Sequence, residues 1–325
     1  MNYDIFREEL AIKYPDYGHA LWKPNPMGRY PAVEVGDVGF IREGYFHRLF
    51  NILLPADHES HRDGVPQHYE PLVLRTSPPT NTDTLQPNNL RSYEVADRSD
   101  EHRRTASGPD EAEQFSFSCS KRRGAILSLP VPAQAEDTVA RGAFAKFIVK
   151  HIDEWFAFAR ECELGISRRE DIILVTGRHL ARSWANIAFQ ESRREEQVSF
   201  GVQVHGDSSV TWQFTLDGAR GVPFSLGPSG LNLPENQCIF IRGFRVTRFS
   251  KIFPRLRGAA GPAQLPDDSD SDTHVISTPA EIDYQDPLHI LLEYIAARTP
   301  DCDMALVHDD DLRYIYTDAV CSSIC

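Results

Sequence analysis

The stretch that decides the fold is VSFGVQVHGDSSVTWQFTL, residues 198–216. Apolar residues occupy every second position from Val198 to Val204 and again from Val210 to Leu216. Strict alternation buries one face of a strand and leaves the other face wet, which is typical of an antiparallel sheet. The polar connection HGDSS joins the two halves, so the stretch predicts an antiparallel hairpin.

Other segments of the chain carry strand signals of the same kind. VEVGDVGFIREGYFHRLFNILLP (33–55) predicts two strands around the turn Arg42-Glu43-Gly44, and HYEPLVLR (68–75) predicts a third. QFSFSC and GAILSLPV predict a further hairpin within 114–131. The remaining strand candidates are DIILVT (171–176), SWANIAF (183–189), CIFIRGFRVTRF (238–249) and DMALVH (303–308).

One long amphipathic helix is predicted over 138–164. Glu136-Asp137 opens it, Thr138 is its candidate cap, and apolar residues recur every three or four positions over 144–159. Such an aromatic stripe is typical of a core face. DPLHILLEYIAAR (286–298) predicts a shorter helix. The many strands and one principal helix predict an α+β fold built on a mainly antiparallel twisted sheet.

Polar stretches divide the chain into parts. Residues 76–113 contain too few apolar side chains to offset the entropy of ordering, which predicts a disordered insertion inside one domain. The predicted parts are a strand-rich N-terminal part of the main domain (1–75), the disordered insertion (76–113), the α+β main domain (114–257), an acidic linker (258–281) and a small C-terminal helix/strand segment (282–325).

Charge is distributed unevenly along the 325 residues, which together carry −13. Residues 1–114 carry −7, residues 115–257 carry +6 and residues 258–325 carry −12. The basic middle and the acidic tail can attract each other, or the tail can simply keep the protein soluble. The first residues lack a signal-peptide pattern and no long apolar run occurs, so we expect a cytoplasmic protein.

The motif around Gly177 lacks the residues that nucleotide binding needs. Thr176-Gly177 follows an apolar strand, as phosphate-binding loops do, but the run GRHLARS has neither the second glycine nor the lysine of a Walker A loop. It also misses the last glycine of the short-chain dehydrogenase pattern, and antiparallel strands follow it. We therefore expect the strand to end at Gly177, and we expect no cofactor.

The histidines His58, His61 and His68 are the candidate metal ligands. Their loop carries Asp57 and Glu59 as well, but the spacing differs from the i,i+4 pair of a zincin helix. A polar surface loop is the favoured interpretation. The chain has no G-x-S-x-G motif and no recognisable catalytic set, so we expect no catalytic residues.

RGFRVTRFSKIFPRLRG, residues 242–258, is the most unusual segment because it is basic, contains no acid, and has phenylalanines between its cations. Anionic lipid, single-stranded nucleic acid and an acidic protein all suit such a pattern. The alternative is an exposed arginine face neutralised by the chain's own acids. The candidate anion-, lipid- or partner-binding residues are Arg242, Arg245, Arg248, Lys251, Arg255 and Arg257.

The acidic run DDSDSD, residues 267–272, surrounds two serines that are candidate phosphorylation sites, Ser269 and Ser271. Acidophilic kinases prefer serines in this setting. Phosphorylation would add about −2 charge at each site and strengthen any attraction between the acidic linker and the basic segment.

Four phrases carry a resemblance to a known family. They are VGDVGFIREGYFHRLFN (35–51), GVPQHYEPL (64–72), ILVTGRHLARSWANIAF (173–189) and LPENQCIFIRGFRVTR (233–248). They are similar to an uncharacterised protein family of mushroom-forming, basidiomycete fungi. The resemblance implies a lineage and no activity.

The order of elements over 145–249 more loosely resembles the pore-forming half of gasdermins. There too an amphipathic helix precedes a strand of the EDIILVT type, long antiparallel strands follow, and a basic-hydrophobic strand closes the order. An inhibitory C-terminal part follows in gasdermins. The resemblance implies a membrane-active protein, although the C-terminal part is much shorter here.

Three functional hypotheses result. The first is a non-catalytic intracellular binding or regulatory protein with a protein partner. The second is a membrane-active protein whose basic strand meets an anionic membrane surface when the acidic tail is displaced. The third is an enzyme with an unrecognised site near the histidines of 57–68. A nucleic-acid partner is disfavoured.

Overall fold

The computed structural model describes residues 2–26, 31–74, 80–85, 89–91, 102–105, 112–119, 123–190, 197–205, 209–217, 223–230, 232–248, 286–299 and 302–314. Three α-helices occur in these residues: α1 (Asn2–Lys13), α2 (Arg141–Glu161) and α3 (Pro287–Arg298). The same residues form sixteen strands: β1 (His19–Ala20), β2 (Asp37–Arg42), β3 (Tyr45–Asn51), β4 (Thr80–Leu85), β5 (Asn89–Arg91), β6 (His102–Thr105), β7 (Ala112–Cys119), β8 (Arg123–Ser128), β9 (Ala133–Thr138), β10 (Ile173–Ala181), β11 (Ala185–Gln190), β12 (Gln197–His205), β13 (Ser209–Asp217), β14 (Phe224–Leu226), β15 (Gln237–Arg248) and β16 (Met304–His308). The predicted α+β class is confirmed.

Strand β15 lies at the centre of the largest sheet, which has eight strands. It pairs with β10 along one edge, and with β1 and then β16 along the other. Strand β10 extends this sheet to β2 and β3 at its beginning and to β9 and β4 at its end. Every one of these pairings is antiparallel, as the sequence predicts.

Two four-stranded sheets complete the described architecture, in the orders β14-β11-β8-β5 and β13-β12-β7-β6. The hairpin predicted over 198–216 is confirmed, because Val198 pairs with Leu216 and Val204 pairs with Val210 across β12 and β13. The hairpin at Arg42-Glu43-Gly44 is also confirmed by the antiparallel pairing of β2 and β3.

The buried face of α2 forms the main core with the largest sheet. Phe144, Ile148, Ile152, Trp155 and Ala159 are at most 2 % exposed and pack against residues of β2, β3, β10 and β15. Their spacing of three or four residues places them on one face of the helix. This is the core that the sequence predicts for the principal helix.

The predicted beginning of that helix is wrong. Residues 133–138 form β9, which pairs with β10 through Asp137 and Gly177, and α2 begins only at Arg141. Thr138 is buried, and its Oγ1 accepts a hydrogen bond of 3.1 Å from the Ala140 N–H in the turn before the helix. Backbone pairing with β10 therefore outweighs the capping signal.

Gly177 does not end its strand, which corrects a second prediction. Strand β10 continues to Ala181, and Gly177 pairs with Asp137 on one side and Arg242 on the other. The register on β15 shifts between Val175 and Gly177, as at a β-bulge. A Cβ at Gly177 would lie 2.7 Å from the Asp137 Oδ1, so the glycine permits this close approach of β9.

The strand predicted over 68–75 is wrong, because residues 68–74 form no strand and the Leu72 N–H instead donates one hydrogen bond to the Ile52 carbonyl, at 2.6 Å. Strands β4, β5 and β6 and the start of β7 fall within 76–113, which the sequence predicts to be disordered. They pair with β9, β8, β7 and β12, whose backbone groups provide hydrogen bonds that composition does not reveal. The rest of 76–113 lies outside the described residues.

The C-terminal segment, residues 286–299 and 302–314, contains α3 and β16 where both were predicted. It has a hydrophobic cluster of its own, formed by Leu288, Leu292, Ala305, Val307 and Leu312. Strand β16 joins the segment to β15 through five antiparallel pairs. Among the described residues, no helix is both long enough and apolar enough to cross a bilayer.

Candidate functional site at the basic strand

The three predicted binding arginines that the structure describes all lie on β15. Because side chains alternate along a strand, Arg242 and Arg248 project from one face of the sheet and Arg245 from the other. The other candidate residues of the basic segment and of the acidic linker lie outside the described residues: Lys251, Arg255, Arg257, Ser269 and Ser271.

Arg242 belongs to a cluster of alternating charges. Its Nη1 lies 2.7 Å from the Asp137 Oδ2, and its Nη2 donates to Asp310 of the C-terminal segment. Arg141, at the start of α2, pairs with the same two carboxylates. Burial alone would raise the pKa of Asp310, but Arg242, His308 and Arg141 outweigh burial and lower this pKa. Asp310 therefore stays ionised between two arginines.

A chain of neutral hydrogen bonds lies beside this cluster. The Asp310 N–H donates to the His308 Nδ1 at 3.1 Å, so the proton of His308 is on Nε2, which lies 2.7 Å from the Thr176 Oγ1. That hydroxyl donates to the Arg242 carbonyl at 3.2 Å. Burial, reinforced by nearby arginines, lowers the pKa of His308 to about 3. The neutral imidazole thus connects the C-terminal segment to β10 and β15.

Asp309 reaches the backbone of β15. Its Oδ2 accepts a hydrogen bond of 2.8 Å from the Gly243 N–H. The side chain is fully enclosed, and burial raises its pKa to about 6 against the opposing effect of Arg245, the Gly243 N–H and Arg242. The carboxyl therefore binds and releases a proton just below neutral pH.

On the opposite face of β15, Arg245 is almost completely buried beside Asp286. Its two terminal nitrogens lie 3.4 and 3.3 Å from the two carboxylate oxygens, and Arg7 of α1 lies 3.2 Å from the same group. Asp286 also caps α3 by accepting the Leu288 N–H at 3.0 Å. Burial would raise the pKa of Asp286, but Arg245, Arg7 and His19 hold it well below its usual range.

Arg248 differs from the other two arginines because its side chain is 48 % exposed. Its Nη1 lies 2.9 Å from the Asp153 Oδ2 on α2, and that carboxylate also pairs with Arg169 at 2.7 Å. The described part of the basic strand is thus neutralised by the chain's own acids. Binding of lipid or of a partner by these arginines stays a prediction.

Sequence reasoning missed the acidic half of these clusters. Arg7 and Asp286 are 279 positions apart, and Arg141 and Asp310 are 169 apart, so no local motif could show that they meet. The only indication in the sequence was the distribution of net charge, which is positive over residues 115–257 and negative over residues 258–325. The pairs of Asp286 with Arg245 and of Asp310 with Arg141 join the negative tail to the positive middle, whereas Arg7 and Asp137 do not follow that division.

Of the candidate metal ligands, only His58 and His61 lie near each other in the described residues, with ring centres 6.2 Å apart. Both ring nitrogens of His61 are used within its own loop, since Nε2 accepts from the Asn51 N–H at 3.1 Å and Nδ1 donates to the Ala56 carbonyl at 3.3 Å. The His58 Nδ1 accepts from the Ser60 N–H, and His68 is exposed. In the described part of the chain, no group of three or more metal-ligating side chains is assembled.

Comparison with known proteins identifies no family for the chain. No protein family matches it, and no curated protein matches it. The cryo-EM structure of the gasdermin A3 membrane pore is similar at 8 % identity, over 80 % of this chain and 97 % of that chain, with a TM-score of 0.22. A TM-score of this size does not establish a common fold. The resemblance to a basidiomycete family stays a prediction.

Proposed function

We propose that the chain is a non-catalytic binding protein whose C-terminal segment covers the basic strand β15 until a partner protein replaces it. The observation that carries the proposal is the set of carboxylates that the segment places on β15. Asp286 meets Arg245, Asp309 meets the Gly243 N–H, and Asp310 meets Arg242. All three acids come from the segment, and all three hydrogen-bond donors lie on the strand.

The way the segment is anchored supports release as a unit. The hydrophobic cluster of the segment is formed within itself, and its partly buried contacts with the main core come from Met304 and Leu306. Five backbone pairs, the carboxylates and His308 supply the remaining contacts described above. A competitor that reproduced these polar contacts could therefore replace the segment without opening the main core.

The same contacts define the partner that would fit. Removing β16 would leave residues 244–248 of β15 with an unpaired edge, and an extended strand from another protein can pair with such an edge. Carboxylates near that strand would take the places of Asp309 and Asp310. We therefore expect an acidic, extended segment of a protein as the natural partner.

The test uses a full-length chain with a specific protease site inserted into the predicted linker, 258–281. After cleavage, the C-terminal piece is expected to co-elute with the main part at low salt and to separate at high salt, because screening weakens the ion pairs. In the double variant Asp286→Asn with Asp310→Asn, the dissociation constant of the complex between the C-terminal piece and the main part should rise about tenfold or more. Asparagine can still cap α3, so the change removes mainly charge.

The matched control is Glu293→Gln, which removes the same charge from an exposed position of α3. It should leave the dissociation constant unchanged. Equal behaviour of the control and the double variant would show that these carboxylates do not hold the segment. A different result is that the main part separates normally from the C-terminal piece and yet binds no acidic peptide that can form a strand. That result would exclude the proposed protein partner, but the docking of the C-terminal segment on β15 would still stand.

An anionic membrane surface is the second candidate, favoured by the net charge of +6 over residues 115–257 and by the phenylalanines between the cations of the basic segment. The test compares dye leakage from phosphatidylcholine vesicles with and without phosphatidylserine, before and after the C-terminal piece is separated. Leakage only after separation, only with anionic lipid and reduced by salt, would favour this candidate. No vesicle binding by either form would exclude it.

A further inference from the structure

A polar cavity of about 310 Å³ lies where α1, the end of β2, residues 165–171, β15 and the start of α3 meet. Three carboxylates line it, those of Asp4, Asp171 and Asp286. Four arginines and two histidines line it as well: Arg7, Arg42, Arg168, Arg245, His19 and His289. The arginines therefore outnumber the carboxylates, and two of the lining residues, Arg245 and Asp286, also join the C-terminal segment to β15.

Two of these carboxylates are already engaged by particular arginines. Asp286 is shared by Arg7 and Arg245, and Asp171 lies 3.6 Å from Arg168. Arg168 keeps half of its side chain exposed, so it can reorient towards a ligand. The inner part of the cavity is thus a fixed ion pair, and the outer part carries a cation that is only loosely paired.

Arg42 is the cation whose charge is least compensated. Its guanidinium donates to the Leu164 carbonyl and lies 5.0 Å from the centre of the Phe40 ring. Within the described residues it forms no ion pair with a carboxylate. A guanidinium held by a carbonyl and an aromatic face keeps its full positive charge and free N–H groups for an incoming anion.

The two histidines add no positive charge to the cavity. Burial lowers the pKa of His19, and the charge of Arg7 lowers it further. Burial also lowers the pKa of His289, where Arg245 opposes the raising effect of Asp286. Both imidazoles are therefore neutral near pH 7, so the positive charges that a ligand would meet are those of the arginines.

We propose that this cavity binds the phosphate group of a small soluble anion. Its donors come from several structural elements that line the space, which suits a tetrahedral oxyanion with oxygens in several directions. The volume exceeds that of one phosphate group, so the ligand carries further polar atoms. The site exists with the C-terminal segment in place and does not depend on its release.

The test is titration calorimetry of the full-length chain with inorganic phosphate and with pyrophosphate, at constant ionic strength set with chloride. Saturable binding at one site is expected, with pyrophosphate the tighter of the two. Arg42→Gln should weaken binding about tenfold or more, because one charge-assisted pair is lost. Arg160→Gln is the matched control, since Arg160 is an exposed arginine that does not line the cavity.

Thermal unfolding without ligand separates a binding defect from a folding defect, and Arg42→Gln should leave the melting temperature unchanged. Equal weakening by Arg42→Gln and Arg160→Gln would overturn the site, because it would indicate attraction to overall charge only. Absence of saturable binding of either anion would overturn it as well. Binding to phosphatidylserine vesicles that requires Arg42, without binding of free phosphate, would overturn the assignment to a soluble ligand.

Discussion

Helix α2 and the C-terminal segment both lie against β15, yet different contacts hold them there. The helix inserts a continuous apolar face into the main core, and its central residues are almost inaccessible to solvent. The segment packs most of its apolar residues against each other and reaches β15 with backbone pairs, carboxylates and the ring of His308, which also bonds to Thr176 of β10. Helix α2 is therefore part of the main core, whereas the C-terminal segment is attached to the sheet mainly by polar contacts.

This difference determines how each region responds to its surroundings. Burial of apolar area depends little on pH or salt, whereas buried carboxylates depend on the protonation of their neighbours. Removing one member of a buried ion pair leaves an uncompensated charge, which costs more than the pair itself contributes. Conditions that change charge should therefore act on the segment first and on α2 last.

The largest effect is expected from Phe144→Ala in α2. Phe144 is fully buried in the main core, and truncation of such a side chain leaves a cavity that costs about 3–5 kcal/mol of unfolding free energy. Urea denaturation measures this loss. Val149→Ala on the outer face of the same helix is the control, because Val149 is 37 % exposed and should change the free energy by less than about 1 kcal/mol. Equal losses would contradict the assignment of the two faces.

The sequence predicts α2 well because the signal is local. A spacing of three or four residues between apolar side chains specifies one helix face without reference to any other part of the chain. The same is true of the alternating pattern in β12 and β13, whose pairing follows the predicted hairpin. Local periodicity therefore accounts for the class of fold and for its principal core.

The errors occur where a distant strand decides the outcome. Thr138 has the chemistry of a cap, but residues 133–138 find backbone partners on β10 and extend as β9 instead. Gly177 resembles a strand end, but β9 and β15 pair with it on both sides and carry the strand onward. Residue types that favour helix caps and turns predict the end of an element poorly where a neighbouring strand offers the backbone more hydrogen bonds.

The candidate site shows the same limit more strongly. The arginines of β15 were identified from their composition, but nothing in the sequence indicates that Asp286, Asp309 and Asp310 meet that strand. The cavity beside Arg42 was not predicted at all, because its lining comes from six separate regions of the chain. Only the fold brings these residues within reach of each other.

A medium effect is expected from the titration of His308, which distinguishes the segment from α2. The pKa is about 3 in the folded protein and about 6.5 in the unfolded chain, so the unfolded state binds the proton first as pH falls. The contribution of neutral His308 is present above pH 6.5 and is lost progressively towards pH 3. At pH 5 the loss is about 2 kcal/mol relative to pH 7.

His308→Gln removes this titration and can keep hydrogen bonds to Thr176 and the Asp310 N–H. Urea denaturation at pH 7 and at pH 5 should show a smaller decline for the variant, by about 2 kcal/mol. Protonation of Asp309 changes the unfolding free energy in the opposite direction, because its pKa of about 6 lies above its value in the unfolded chain. This effect is present in both the wild-type protein and the variant. An identical decline in both proteins would show that His308 does not remain neutral in the folded state.

The smallest effect is expected from Arg248→Ala. The side chain is about half exposed, and its partner Asp153 keeps a second cation, Arg169, at 2.7 Å. An exposed pair of this kind contributes less than about 1 kcal/mol and is weakened by salt. Urea denaturation at low and high salt should therefore show a small loss that disappears at high salt. A loss of about 3 kcal/mol or more, as expected for a buried pair, would show that β15 is held by its outer arginine as well as by the two inner ones.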